Sequence, residues 1–248
     1  MAFKSSLSNS SQKAKKQKNL RKLEARRSRI KRAEARPKIK AIIFDIGGVL
    51  VLPKNPAKLS SKGGHRSLGV HEHVARKLRI SLDQYFDSID TIYAMSIEGQ
   101  IPEKEAIRLL AKNLGVSEKK LKTLYNAAYK KNFKQNKVLY KFAYKLKKKG
   151  YKIAVLSDQW YLSKKALVRR RLLRRFDAVI ISCDVGVRKP NPEIYKLALK
   201  KIGAKPSEAL FIDNQKWNID AAKKLGIKTI LYKNNEQLFR QLSKQGLI

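Results

Sequence analysis

An α/β fold built on a parallel sheet is what the sequence predicts, and two observations carry it. From residue 151 onward, apolar, β-branched runs ("YKIAVLS", "DAVIIS", "ALFID", "IKTILY") alternate with helical stretches at 161–175, 191–203, 215–225 and 235–245. Strands buried on both faces read as continuous apolar runs, and the helices between them supply the crossovers that parallel strands need. An earlier run, "IKAIIF", has the same character; it ends in Asp45 and is followed by Gly47 and Gly48.

The elements follow in chain order. Residues 1–37 are Ser-rich and then Lys/Arg-rich, with too few apolar residues to fold alone. They are expected to be disordered, or helical when bound, because residues 12–35 lack Gly and Pro; Pro37 ends the stretch. After the first strand, residues 53–68 are loop-like and rich in Pro, Gly, Ser and Lys. A helical region comes next. "PEKEAIRLLAKNLG" has apolar spacings of three and four, "VSEKKLKTLYNAAYKKNF" opens on a Ser117 cap, and 134–149 reads as an amphipathic helix closed by Gly150.

Composition bounds the function. With 248 residues and 43% hydrophobic content the chain can bury one core and a subdomain. No run reaches the roughly 18 apolar residues of a membrane span, and the N-terminus lacks the apolar centre of a secretory signal. A cytoplasmic protein without a membrane partner is expected; ribosome-bound, organellar and nuclear placements stay open. The single cysteine, Cys183, cannot pair internally and reads as a buried structural thiol.

Charge is the dominant feature: 58 Lys+Arg against 19 Asp+Glu, formally +39. Residues 1–39 hold 14 basic and 2 acidic residues, so the rest, with 44 against 17, still carries +27. Such an imbalance points to a polyanion, with RNA, rRNA included, as the expected partner. Candidate phosphate contacts in the arm are Lys13, Lys15, Lys16, Lys18, Arg21, Lys22, Arg26, Arg27, Arg29, Lys31 and Arg32. A solubilising or nuclear-type address and an organellar transit peptide are the competing readings of that segment. "LVRRRLLRRF" adds Arg169, Arg170, Arg171, Arg174 and Arg175, expected as a basic face on one helix opposite Leu167, Leu172 and Leu173. Tyr140, Phe142, Tyr144 and Tyr151 read as core, and "HEH" at His71–His73 as a solvated cluster.

In a parallel sheet all carboxyl ends lie along one edge, where ligands bind. Asp45, Ser157 and Asp213 each end a strand, and Lys189 follows another in "VGVRKPNP". Two acids, a hydroxyl and an ammonium around one crevice suit a phosphorylated substrate held with Mg²⁺. "FDIGGVL", "VLSD", "VRKPNPEIY" and "LFIDNQKWNIDAAKKLG" resemble, in order, the four motifs of the haloacid dehalogenase (HAD) superfamily. Within it, the Gly-Gly and "RKPNPEIY" look most like small sugar-phosphate phosphatases such as glucose-1-phosphate phosphatase.

The resemblance implies a Rossmann-like core from 38–52 and 141–248, with a helical cap at 53–140. It implies that Asp45 is a nucleophile forming an aspartyl-phosphate, that Ser157 bonds the phosphoryl oxygens, and that Lys189 neutralises them. Mg²⁺ is implied on Asp45, the carbonyl of Gly47 and Asp213. Two positions depart from the pattern: Gly47 replaces a usual acid/base Asp, and Asn214 replaces an acid. Asp220, seven residues past Asp213, is expected to point elsewhere. Two functions are therefore open: a Mg²⁺-dependent phosphatase of a small metabolite or nucleic-acid end, and a weakened HAD domain kept as an RNA-binding component.

Overall fold

The computed structural model describes residues 39–55 and 68–247. Five parallel strands form the sheet: β1 (Ala41–Phe44), β4 (Lys152–Ser157), β5 (Ala178–Ile181), β6 (Ala209–Asp213) and β7 (Lys228–Leu231), in the order β5-β4-β1-β6-β7. β1 is central, and its four residues are at most 1% exposed. Alternate residues feed opposite faces. Ile42, Phe44, Ile153, Val155, Leu210 and Ile212 enter one core, while Ala41, Ile43, Ala154, Leu156 and Phe211 enter the other.

Helices cover both cores. α9 (Pro192–Ile202) and α10 (Lys216–Lys224) bury Ile194, Tyr195, Ala198, Ile219 and Ala222 on the second face. α5 (Lys137–Lys148) and α11 (Asn235–Lys244) bring Leu139, Tyr140, Ala143, Leu146, Leu238 and Leu242 to the first. Tyr140 and Tyr144 pack on Phe176, and Phe142 packs on Phe239; Tyr140 is core, while Phe142 and Tyr144 are half-buried against it. Cys183 is buried, and burial pushes its thiol up to about 11, which makes it a poor nucleophile.

Between β1 and β4 lie four more helices: α1 (Leu68–Leu78), α2 (Leu82–Ile97), α3 (Glu103–Asn113) and α4 (Glu118–Asn132). Ser81 and Gln84 form a reciprocal capping box on α2, and Ser117 accepts from Lys120 N at the start of α4. One feature is absent from the sequence-based expectation. The ends of the inserted segment zip into an antiparallel hairpin, β2 (Val51–Pro53) with β3 (Phe133–Gln135), so helix begins at Lys137 rather than 134. Asn136 locks the stem: its side chain donates to Val49 O at 2.9 Å and exchanges hydrogen bonds with Asn235.

Two expectations are corrected. The basic stretch is not one helix: α6 (Tyr161–Leu167) ends at Val168, and α7 (Arg170–Leu173) is a separate single turn. Leu167 and Leu173 are both buried, and a straight helix through 168 and 169 does not place both in the core. His71 is not solvated. It is buried on α1, where Nδ1 lies 2.7 Å from Tyr85 Oη, which in turn bonds Tyr125 Oη. Among the described residues, no helix is long and apolar enough to cross a membrane.

Candidate active site

Strand register assembles the site. Phe44 stands opposite Val155 on one side and Ile212 on the other. One residue further, Asp45 therefore lies between Leu156 and Asp213, with Ser157 next along β4; Asp45 N bonds Ile212 O at 2.9 Å. Lys189 comes from the loop between α8 (Ser182–Val185) and α9, where Asn191 caps α9 by accepting from Glu193 N. Its Nζ donates to Asp45 Oδ1 at 3.0 Å, Asp213 Oδ2 at 2.7 Å and Leu156 O at 3.3 Å. Asp213 also accepts from Gln215 N at 2.6 Å and Asn218 Nδ2 at 3.0 Å. Ser157 Oγ accepts from Gln159 Nε2 at 3.0 Å. Asp45, Ser157, Lys189 and Asp213 are all buried, from 0 to 6% exposed.

Burial pushes the Asp45 carboxyl up to about 6, although Lys189 pulls it down. Burial alone would lower the Lys189 ammonium, but Asp213, Asp45 and Asp158 outweigh it and hold Lys189 charged, above its ordinary range. Asp158 is the group the sequence reading missed, although it stands beside Ser157. It lies on the same floor, partly buried, with Oδ1 accepting from Lys189 N at 3.0 Å. Burial raises its carboxyl as well. Three carboxylates thus face one ammonium, an excess of negative charge in a chain of +39.

That excess is what a cation would answer. Among the described residues no group of three or more His, Cys, Asp or Glu is close enough to hold a metal. Only oxygen donors are on offer, two carboxylates and the backbone of residue 47. Mg²⁺ is the ion that such a sparse, hard set suits, since it keeps several waters and takes one or two carboxylates plus a phosphate.

The floor opens into a cleft of about 1400 Å³ lined by Asp45, Gly47, Ser157, Asp158, Lys189 and Asn214, with aromatic walls that include Trp217. Gly47 is not demanded by backbone geometry, since its φ lies outside the left-handed region. A Cβ built there meets only Asp45 Oδ2, at 3.9 Å. The missing acid is therefore a change of chemistry, with space for a side chain remaining. Asp220 is turned away and paired with Lys216 at 2.7 Å.

The arm residues from Lys13 to Arg32 lie outside the described residues. Arg169, Arg170, Arg171, Arg174 and Arg175 are all exposed and, among the described residues, none is in an ion pair; Arg175 lies over the Tyr144 ring at 5.1 Å.

Comparison with known proteins agrees with the fold. The chain is 28% identical over 228 residues to bifunctional epoxide hydrolase 2 of Sus scrofa, a match covering 83% of this chain but 38% of that one. It is 27% identical to phosphoglycolate phosphatase of Aquifex aeolicus, covering 78% of this chain and 84% of that one. A HAD family enzyme of Bacteroides thetaiotaomicron, solved with magnesium and inorganic phosphate, superposes with a TM-score of 0.64 at 22% identity, covering 82% and 100% of the two chains. The model of the haloacid dehalogenase-like hydrolases matches residues 39–226, and with the strand-end cluster in place the chain belongs to that family.

Proposed function

We propose that the chain is a Mg²⁺-dependent phosphohydrolase working through an aspartyl-phosphate. One observation carries the reading: Lys189 Nζ bridges Asp45 and Asp213 at the floor of an open cleft. Bridged in this way, the Asp45 carboxylate is fixed with one oxygen held by Lys189 and is aimed along its strand into the cleft. It attacks phosphorus in line, the P–O bond to the leaving group breaks, and Asp45 carries the phosphoryl group. Water then attacks the same phosphorus, releasing inorganic phosphate and regenerating the carboxylate; this divides one hard displacement into two. Ser157 Oγ donates to a phosphoryl oxygen, and Lys189 neutralises another. Bound to Asp45, Asp213 and the carbonyl of Gly47, Mg²⁺ would supply the remaining positive charge.

A proton must reach the leaving oxygen and later leave the water. With Gly47 lacking a side chain, Asp158 is the group assigned to it, because it is the remaining carboxyl on the floor, and burial raises its carboxyl. In this reading residues 53–140 form the cap over a core of 38–52 and 141–248, while 1–37 form a basic arm.

A second reading rests on the charge. A body of +27, with five arginines that form no ion pair among the described residues, exceeds what one small phosphorylated metabolite needs, and it suits RNA phosphates. The domain then acts as an RNA-binding component, at the ribosome for instance, with turnover weakened by Gly47 and Asn214. The two readings are compatible in one chain. p-Nitrophenyl phosphate with Mg²⁺ separates them: we expect Mg²⁺-dependent release that Asp45→Asn lowers by at least about 10⁴-fold, as loss of a nucleophile does. Equal rates for the two proteins remove the hydrolase reading, and co-sedimentation with ribosomes decides the other.

A further inference from the structure

We propose that the cleft accepts the phosphorylated end of a single-stranded nucleic acid, with its terminal base stacked on Trp217 and its next phosphates on Lys54, Lys134 and Lys233. The inference rests on the phosphohydrolase reading of Asp45 and names the substrate class of that site. The phosphoryl pocket is already supplied by Lys189, so cations elsewhere on the walls answer to charge elsewhere on the ligand.

Trp217 is 58% exposed, the most open large hydrophobic side chain among the described residues. It sits in the first turn of α10, four residues after Asp213, on the wall of the cleft. Packing does not explain it, since α10 buries Asn218, Ile219 and Ala222 instead. The other tryptophan, Trp160, shows the ordinary fate of an indole: it is 2% exposed, with Nε1 bonded to Tyr129 Oη. An indole left in water beside a phosphate site is a stacking platform for a planar ring.

The lysines lie on or just after three other strands. Lys134 lies on β3 opposite Leu52, Lys54 follows Pro53 at the end of β2, and Lys233 follows β7. All three line the cleft, and among the described residues none has a carboxylate partner. Outside the floor and its cation, the cleft offers one carboxylate, Glu236. The amides of Asn214, Gln215, Asn234 and Asn235 on the walls can hold sugar hydroxyls, and a nucleotide has those as well. An aromatic face and spaced cations beside them are what a strand end adds to that demand. A nucleoside monophosphate shares the phosphomonoester and the base but lacks the following phosphodiesters.

Intrinsic fluorescence of the full-length Asp45→Asn protein tests this, because Trp217 is the exposed indole and its quenching reports the cleft rather than the arm. The probes are a uridine decamer with a 5′-phosphate, the same decamer with a 3′-phosphate, the decamer with hydroxyl ends, and uridine monophosphate. We expect a phosphorylated decamer to quench with at least tenfold higher affinity than the hydroxyl-ended decamer and the mononucleotide. Because the substitution removes the reporting indole, Trp217→Ala is titrated by the anisotropy of the same decamers carrying a dye at the unphosphorylated end, beside Asp45→Asn as reference, and it should weaken that binding by about 5- to 150-fold, the worth of stacking one base. The Lys54→Ala/Lys134→Ala double variant should flatten the logarithmic salt slope by about 2. Uridine monophosphate binding as tightly as the decamer overturns the strand-end assignment. No quenching, or an affinity unchanged in Trp217→Ala, overturns the site altogether. If the wild-type protein hydrolyses p-nitrophenyl phosphate while no decamer quenches, this inference falls alone. If nothing is hydrolysed yet the phosphorylated decamer quenches, the site stands and the hydrolase reading falls.

Discussion

Positive charge is handled in opposite ways at the strand ends and on the segment from Arg169 to Arg175. At the strand ends a single ammonium, Lys189, is buried between two carboxylates at 3.0 and 2.7 Å, and its pocket is closed by the carbonyl of Leu156. On the outer segment five guanidiniums are exposed and, among the described residues, none is in an ion pair. A buried charge cannot exist without partners fixed by the fold, so its role is written into local geometry. An exposed charge is cheap to keep, and its role depends on what meets it. The first region is therefore described by distances and the second by salt dependence.

The largest expected effect tests the second region. If the arm and the arginine segment neutralise 6 to 10 RNA phosphates, affinity should fall on the order of 10³- to 10⁵-fold between 50 and 200 mM salt. Deleting residues 1–36 and replacing Arg169, Arg170 and Arg171 with Ala should each flatten that slope in filter-binding titrations. Turnover of p-nitrophenyl phosphate should stay within about twofold, since neither change touches the strand-end cluster. Loss of turnover along with the slope would mean that the two regions are one functional unit.

The next effect sharpens the first region. Gly47→Asp places a carboxylate where the backbone tolerates it and the nearest atom to its Cβ is Asp45 Oδ2 at 3.9 Å. A positioned proton-transfer group is worth about 10²- to 10⁴-fold, so turnover should rise by an amount in that range. Asp158→Asn should lower the turnover of the wild-type protein and leave that of Gly47→Asp nearly unchanged, because the new carboxyl takes over the proton. Steady-state rates of the four proteins decide it. No gain in Gly47→Asp, with a normal melting temperature, means that proton transfer does not limit this enzyme.

Legibility in the sequence followed the same division. The strands announced themselves because burial on both faces leaves only apolar residues, and the acids at their ends were visible as interruptions of that pattern. Register did the rest, bringing residues 45, 157 and 213 to one edge. The hairpin was not legible, since "VLP" and "FKQ" are three residues each, one containing a proline, and pair across 79 intervening positions. Nor was the break at 168, because Leu167 and Leu173 reach the core only when the helix stops. His71 illustrates a third limit: two histidines flanking an acid look solvated until Tyr85 and Tyr125 supply a buried polar partner. Asp158 was hidden by position, since it lies one residue beyond the end of β4 and reaches the floor only through its bond to Lys189 N.

The smallest effect concerns the electrostatic cost of the strand-end cluster itself. In the folded protein burial lifts Asp45 to about 6, above the ordinary 3.8 of the unfolded chain. Between those values the folded state keeps a proton that the unfolded state has released. Stability from this group is therefore fully present below about pH 4 and is lost as pH rises through about 6. Asn at position 45 cannot titrate, so the melting-temperature advantage of Asp45→Asn over wild type should be smallest near pH 4 and grow to a plateau above pH 6. The difference should be no more than about 3 kcal/mol, the worth of roughly two pKa units. Saturating Mg²⁺ should shrink it, because an ion on Asp45 and Asp213 stabilises the ionised carboxylate of the wild type and finds one charge fewer in the variant. A pH-independent difference in calorimetry would show that Lys189 alone balances the floor. The cation would then have no unmet charge to answer.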